Sequence, residues 1–176
     1  MRQAYDALEN IDVWVNNAGA DVLTGEARRW PAERKLEALL ELDLKGTIRC
    51  SRLVAGKMAP GGCILNLGWD HAAADGMAGD DAELFAAVKA GVLGFSKSFA
   101  RSVAPDLRVN VLCPGWIETA YGASANRDFY DRVAAETPLR RWGRPEDVAG
   151  SAVWLASPAA SFVTGQAINL NGGVVA

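Results

Sequence analysis

Ile11-Asp12-Val13-Trp14-Val15-Asn16-Asn17-Ala18-Gly19 is the stretch on which the reading of the fold turns. Ile11 to Asn16 is rich in β-branched and aromatic side chains and runs into a small turn at Ala18-Gly19, the pattern of a strand that stops at a loop. Downstream, Pro31 to Lys57 places Leu36, Leu39, Leu40 and Leu44 at helical spacing. Cys63 to Leu67 is a second strand, set off by the break at Pro60-Gly61-Gly62. A helix follows from about Asp81 to Ala104, with Leu84, Val88, Val92, Phe95 and Phe99 on one face, and Pro105 marks its end. Arg108 to Leu112 is a third strand ending at Pro114-Gly115, and Gln166 to Leu170 a fourth, closed by Gly172-Gly173. Between these two lie an aromatic, polar stretch from Trp116 to Tyr130 and two helices, the second starting near Pro145-Glu146-Asp147. Strands alternating with helices in this way predict the α/β class, with parallel strands joined by crossover helices.

Composition narrows the functional classes. The 176 residues are 50% hydrophobic and 22% charged, enough to build one soluble domain with its own core. Eighteen basic against 21 acidic residues leave a net charge of -3, which points away from nucleic acid and anionic membranes as partners. Cys50, Cys63 and Cys113 stand in unrelated contexts and read as buried thiols of a cytoplasmic protein, with neither a disulfide framework nor a zinc site. No apolar run approaches the roughly 20 residues of a membrane span, and the opening MRQAYDALEN has no signal-peptide pattern. Without repeats or linkers, residues 1–176 read as one domain.

Asn16-Asn17-Ala18-Gly19, at the end of a strand, resembles the NNAG signature of the short-chain dehydrogenase/reductase family. The same order continues with Leu44-Lys45-Gly46, Lys89-Ala90-Gly91-Val92, Arg108-Val109-Asn110 and Cys113-Pro114-Gly115-Trp116-Ile117-Glu118-Thr119. Gly143-Arg144-Pro145-Glu146-Asp147-Val148-Ala149 and Thr164-Gly165-Gln166 through Asn171-Gly172-Gly173 complete it. The chain is similar to the bacterial β-ketoacyl-carrier-protein reductases and related dehydrogenases. The resemblance implies a reduced Rossmann-type parallel sheet with helices on both faces, its strands corresponding to the family's fourth to seventh. The N-terminal βαβ part with the glycine-rich turn is absent from the pattern, so Ile11 to Asn17 is expected to form an edge. NAD or NADP is the implied cofactor. Asn17, Ala18, Gly19, Lys89, Pro114, Gly115, Ile117 and Thr119 match positions that touch its nicotinamide half, although binding is not expected to be strong without the glycine-rich turn.

The catalytic positions depart from the family. Its members use a tyrosine as proton donor with a lysine four residues on, a spacing that puts both on one helix face. Here the pair is Phe85 and Lys89, so the lysine is retained while the ionisable phenol is lost. Trp69 stands at the family's serine and Asp43 at its asparagine, and Asn171 replaces the aspartate of its C-terminal Asp-Gly-Gly. His71, the only histidine, lies among Asp70, Asp75, Asp80 and Asp81 without metal-ligand spacing, and this segment reads as a solvated loop. Trp69 and Phe85 are expected to fill the space that the serine and tyrosine leave.

Trp116, Tyr121, Phe129 and Tyr130 occupy the family's substrate lid and would suit a small apolar ligand. The long helices resemble the family's dimer-forming pair, with Ala86-Ala87 and Ala90-Gly91 permitting close approach. The expected function is that of an oxidoreductase by descent without autonomous hydride transfer. It would act as a scaffold or accessory subunit, in a homo-oligomer or beside a related reductase. Two alternatives stay open: an active oxidoreductase completed by a partner chain, and a non-redox enzyme (elimination, isomerisation or cyclisation) with Asp43, Asp70 or His71 as base.

Overall fold

The computed structural model describes residues 10–79, 81–119, 122 and 126–175. Asp80 and Tyr121, both singled out by the sequence, lie outside the described residues. Strand β1 (Ile11–Asn16) leads to helix α1 (Ala32–Leu39), a π-helical stretch over Leu40–Gly46 and helix α2 (Thr47–Ala55). Strand β2 (Met58–Leu67), a short helix α3 (Asp70–Ala73), the 22-residue α4 (Ala82–Val103) and β3 (Arg108–Pro114) follow. Helix α5 (Arg127–Glu136), helix α6 (Pro145–Ala156) and strand β4 (Ala167–Leu170) complete the order.

The four strands form one parallel sheet in the order β1-β2-β3-β4, which makes β1 an edge among the described residues. The expected α/β class and Rossmann-type sheet are therefore observed. Alternation along β2 divides the core. Ile64 packs with Ile11, Val54, Ala100 and Val109 beneath α2 and α4, while Cys63 and Leu65 pack with Leu112 and Leu155 beneath α6. Helices thus lie on both faces, with one correction. Val13 and Val15 pair in register with Cys63 and Leu65, yet they are 42% and 44% exposed, because α6 reaches β2 and β3 and leaves that face of β1 bare.

Element boundaries shift for identifiable reasons. The break at Pro60-Gly61-Gly62 does not precede β2 but lies inside it as a bulge: Ile11 pairs with Met58, and the next matched pair is Val13 with Cys63. Strand β3 runs two residues past Leu112 because Cys113 and Pro114 pair with Asn169 and Leu170 of β4. Strand β4 starts one residue later than expected, since the Gln166 N–H donates to the Asn110 side-chain oxygen at 3.0 Å. Helix α4 ends before the extended Ala104, as proline at 105 requires. Among the described residues no helix is long and apolar enough to cross a membrane.

Candidate functional site

Parallel strands deliver their C-terminal ends to one rim, and the turns after β1, β2, β3 and β4 collect the residues that the sequence points to. Asp43 sits in the π-helical stretch, whose widened turn breaks the ordinary helical phase and directs this carboxylate inward. Asp43 Oδ1 accepts the Ala20 N–H at 2.8 Å, and Asp43 Oδ2 receives the ammonium of Lys89 at 2.9 Å. The side chains of the pair are 1% and 8% exposed. Gly19 allows the turn after β1 to rest on the carboxylate, for a Cβ there would lie 3.1 Å from Asp43 Oδ2. Lys89 Nζ also donates to the Leu67 carbonyl at 3.2 Å and stands 5.3 Å from the centre of the Phe85 ring. A buried ammonium held by a carboxylate, a carbonyl and an aromatic face is satisfied on every side. Lys89 is thus a paired interior group, not a helix lysine with its stem along an apolar face.

Phe85 and Lys89 share a face of α4, and Trp69 closes on Phe85 edge to face, with ring centres 5.2 Å apart. The His71 ring lies 5.2 Å from the Trp69 ring on its other side, and its Nδ1 is 3.3 Å from the exposed Asp75. An aromatic wall therefore lines the rim where the resemblance carries two hydroxyl groups.

The expected solvated loop after Trp69 is corrected by the structure. Asp70 opens α3 and is wholly buried: its Oδ1 accepts the His71 N–H at 2.9 Å, while Oδ2 has no partner. Burial raises the Asp70 carboxyl above its ordinary value, against weaker opposing hydrogen bonds and the charge of His71. The neighbouring Cys113 thiol is pushed up to about 11, first by burial and then by the Asp70 charge. At the far end of the segment, Asp81 pairs with the buried Lys35 at 2.7 Å and fastens α1 to the start of α4. Among the described residues of the segment, Asp75 is exposed as the sequence expects. Among the described residues no cluster of three or more acidic, histidine or cysteine side chains could hold a metal ion.

Asn17, Ala18 and Gly19 are exposed after β1, and Pro114, Gly115 and Ile117 are half-buried after β3. The latter turn is braced from behind. Glu118 N–H donates to the Gly143 carbonyl and Gly143 N–H to the Trp116 carbonyl, both at 2.9 Å, and Thr119 N–H donates to the Ile117 carbonyl at 2.7 Å. Trp116, Phe129, Tyr130 and Trp142 form one aromatic cluster, so three of the expected lid residues do meet. The Tyr130 hydroxyl donates to Glu118. A cleft of about 480 Å³ opens beside the cluster, lined by Trp116, Thr137, Leu139, Arg141 and Asn171. It reaches none of Asp43, Trp69, Phe85 or Lys89. Arg141 grips Asp147 through two hydrogen bonds of 2.6 and 2.9 Å and holds that carboxyl down at about 2, so its charge is already matched.

Beneath the rim lies a polar ladder that sequence reasoning missed. Asn16 Nδ2 donates to Asn66 Oδ1 at 2.7 Å and to Ser51 Oγ at 2.9 Å, and Asn66 Nδ2 donates to Ser96 Oγ at 2.8 Å. It ties β1 and β2 to α2 and α4. No spacing rule reveals such a ladder, because its members come from four elements.

Three comparisons bear on this arrangement. The family model described as enoyl-(acyl carrier protein) reductase matches residues 1–175. The 3-oxoacyl-[acyl-carrier-protein] reductase of Synechocystis is 34% identical over 184 residues, covering 99% of this chain and 69% of that protein. The short-chain dehydrogenase/reductase of Serratia marcescens superposes with a TM-score of 0.86 at 31% identity, covering 99% of this chain and 70% of that one. A blue fluorescent protein from a metagenomic library, solved in complex with NADPH, superposes with a TM-score of 0.86 at 30% identity and the same 99% of this chain, against 69% of its own. With the parallel sheet, the ordered motifs and the lysine on the long helix already in place, the chain belongs to the short-chain dehydrogenase/reductase family.

Proposed function

We propose that this chain is a catalytically degenerate short-chain dehydrogenase/reductase, descended from NAD(P)-linked oxidoreductases, that acts as an accessory subunit or scaffold. The observation that carries this reading is the Phe85–Trp69 contact at 5.2 Å. Carbonyl reduction needs a proton delivered to the developing alkoxide, and neither a benzyl ring nor an indole set edge to face against it can ionise to supply one at neutral pH. The NADPH complex of a relative supports NAD or NADP as the ancestral cofactor. Two features support a protein partner, whether a second copy or a related reductase. The Val13–Val15 face of an edge strand is exposed, and so are Val153 and Trp154 on α6 and Phe162 between α6 and β4.

The test is NADPH oxidation with acetoacetyl-coenzyme A, followed at 340 nm for the purified chain and for Trp69→Ser/Phe85→Tyr. The unaltered chain is expected to show no rate above the cofactor's own decay, since a positioned general acid contributes roughly 10²- to 10⁴-fold. Turnover by the unaltered chain on the order of 1 s⁻¹, in the range of ordinary enzymes, would overturn the reading. Co-purification with a related reductase at fixed stoichiometry is the expected companion result.

A further inference from the structure

NAD(P) fits this site only in part. The turns at Asn17-Ala18-Gly19 and Gly115-Ile117 offer backbone groups at the rim, but Lys89, the cation that the family pattern places there, is already engaged. An ammonium has three N–H donors. Here one points to Asp43 Oδ2 at 2.9 Å and one to the Leu67 carbonyl at 3.2 Å, and the Phe85 ring at 5.3 Å takes up the remaining side. We propose that Asp43 is a latch that holds Lys89 inside the protein and withholds it from a ligand at the nicotinamide half-site. The inference deepens the reading of a degenerate reductase, and adds that the loss extends from proton transfer to ligand binding.

The physical reason is a competition between acceptors. A sugar hydroxyl is a neutral acceptor, and a hydrogen bond to an ionised carboxylate is roughly twice as strong as one between neutral groups. To bind a ligand, Lys89 would have to abandon a buried carboxylate, leaving Asp43 with a single donor, the Ala20 N–H at 2.8 Å. The surroundings resist rearrangement as well. The turn at Gly19 rests on the same carboxylate, and Phe85, backed by Trp69, covers one side of the lysine. An asparagine at position 43 keeps the shape and can still accept from Ala20, but it removes the charge that holds the lysine.

Reduced nicotinamide mononucleotide is the probe, because it carries only the half of the cofactor that this rim could meet. Binding is followed by its fluorescence. The unaltered chain is expected to show no saturation at millimolar probe and Asp43→Asn at least tenfold tighter binding, which Asp43→Asn/Lys89→Gln loses. Saturable binding by the unaltered chain that weakens in Lys89→Gln would overturn the latch. So would an Asp43→Asn variant that is folded by circular dichroism and binds no better. A second measurement needs no variant to fold: the Lys89 side-chain ¹⁵N ammonium signal. It is expected to be sharp, protected from exchange and unmoved by the probe, and a signal that the probe shifts would overturn the proposal. Failure here leaves the reduction assay untouched, because that assay depends on Phe85 and Trp69.

Discussion

Asp70 buries a carboxyl group whose Oδ2 meets no donor, so ionising it works against the folded state. The sign follows from the raised value. Below the ordinary carboxylate value of 3.8 the group is protonated whether folded or unfolded, and it brings no penalty. As the pH rises from there through the raised folded value, the unfolded chain releases its proton more readily and stability falls. Asp70→Asn keeps an acceptor for the His71 N–H and removes the charge. It is expected to unfold at a higher urea midpoint than the unaltered chain at pH 7 and to flatten the stability difference between pH 4 and pH 7. Equal midpoints for the two chains at pH 7 would show that the buried carboxyl has a partner after all. The Asp43–Lys89 pair next door obeys the opposite logic: both charges are matched, and removing either one alone leaves a buried ion exposed to the cost that Asp70 already bears.

At the scale of elements, the rim depends on close approach between the ends of β2, β3 and β4. Gly115 is the tightest point. A Cβ there would lie 2.7 Å from Asn171 Cβ and 3.0 Å from both Asn171 Cα and Asp70 Oδ2. Neither the Asn171 backbone nor the buried Asp70 can swing away, so Gly115→Ala must separate the end of β3 from that of β4. A loss of about 1–3 kcal/mol is expected, read from denaturant midpoints. Gly150→Ala, whose Cβ would meet nothing within 4 Å on helix α6, is the control and should be neutral or slightly stabilising. The π-helical stretch between α1 and α2 has a similar positioning role. Asp43 is buried within it, although Leu36, Leu40 and Leu44 give the sequence an uninterrupted helical rhythm.

For the whole molecule, the bare face of β1 sets the expected behaviour in solution. Val13 and Val15 point to the side where α6 covers only the neighbouring strands, and among the described residues no strand pairs with the outer edge of β1. Such an edge is a template for another chain, and a charge on it is the usual way of blocking that. Val15→Lys is expected to shift the chain toward monomer in sedimentation velocity run over a range of concentrations. Identical, concentration-independent profiles for both chains would remove β1 as an association surface.

The division between what could be read and what had to be folded follows from the range of each interaction. Helix identities were legible because burial on one face imposes a period on neighbouring residues, as in Leu84, Val88 and Val92 of α4, and Ile11 to Asn16 was legible from its β-branched and aromatic residues and the turn that follows them. The motif order from Asn16-Asn17-Ala18-Gly19 to Asn171-Gly172-Gly173 carried the family because each motif is a short run of residue types that can be read without knowing what it packs against. The loss of the phenol at Phe85 and of the hydroxyl at Trp69 was also visible, being a matter of residue type alone. Only the tertiary structure decided that Asp43 grips Lys89 across 46 residues of chain, that Asp70 is interior and that Asn16, Asn66 and Ser96 form one ladder. These depend on which side chains the sheet and the π-helical turn bring within 3 Å. A charge's partner and its exposure are properties of that assembly, with no period along the chain to announce them.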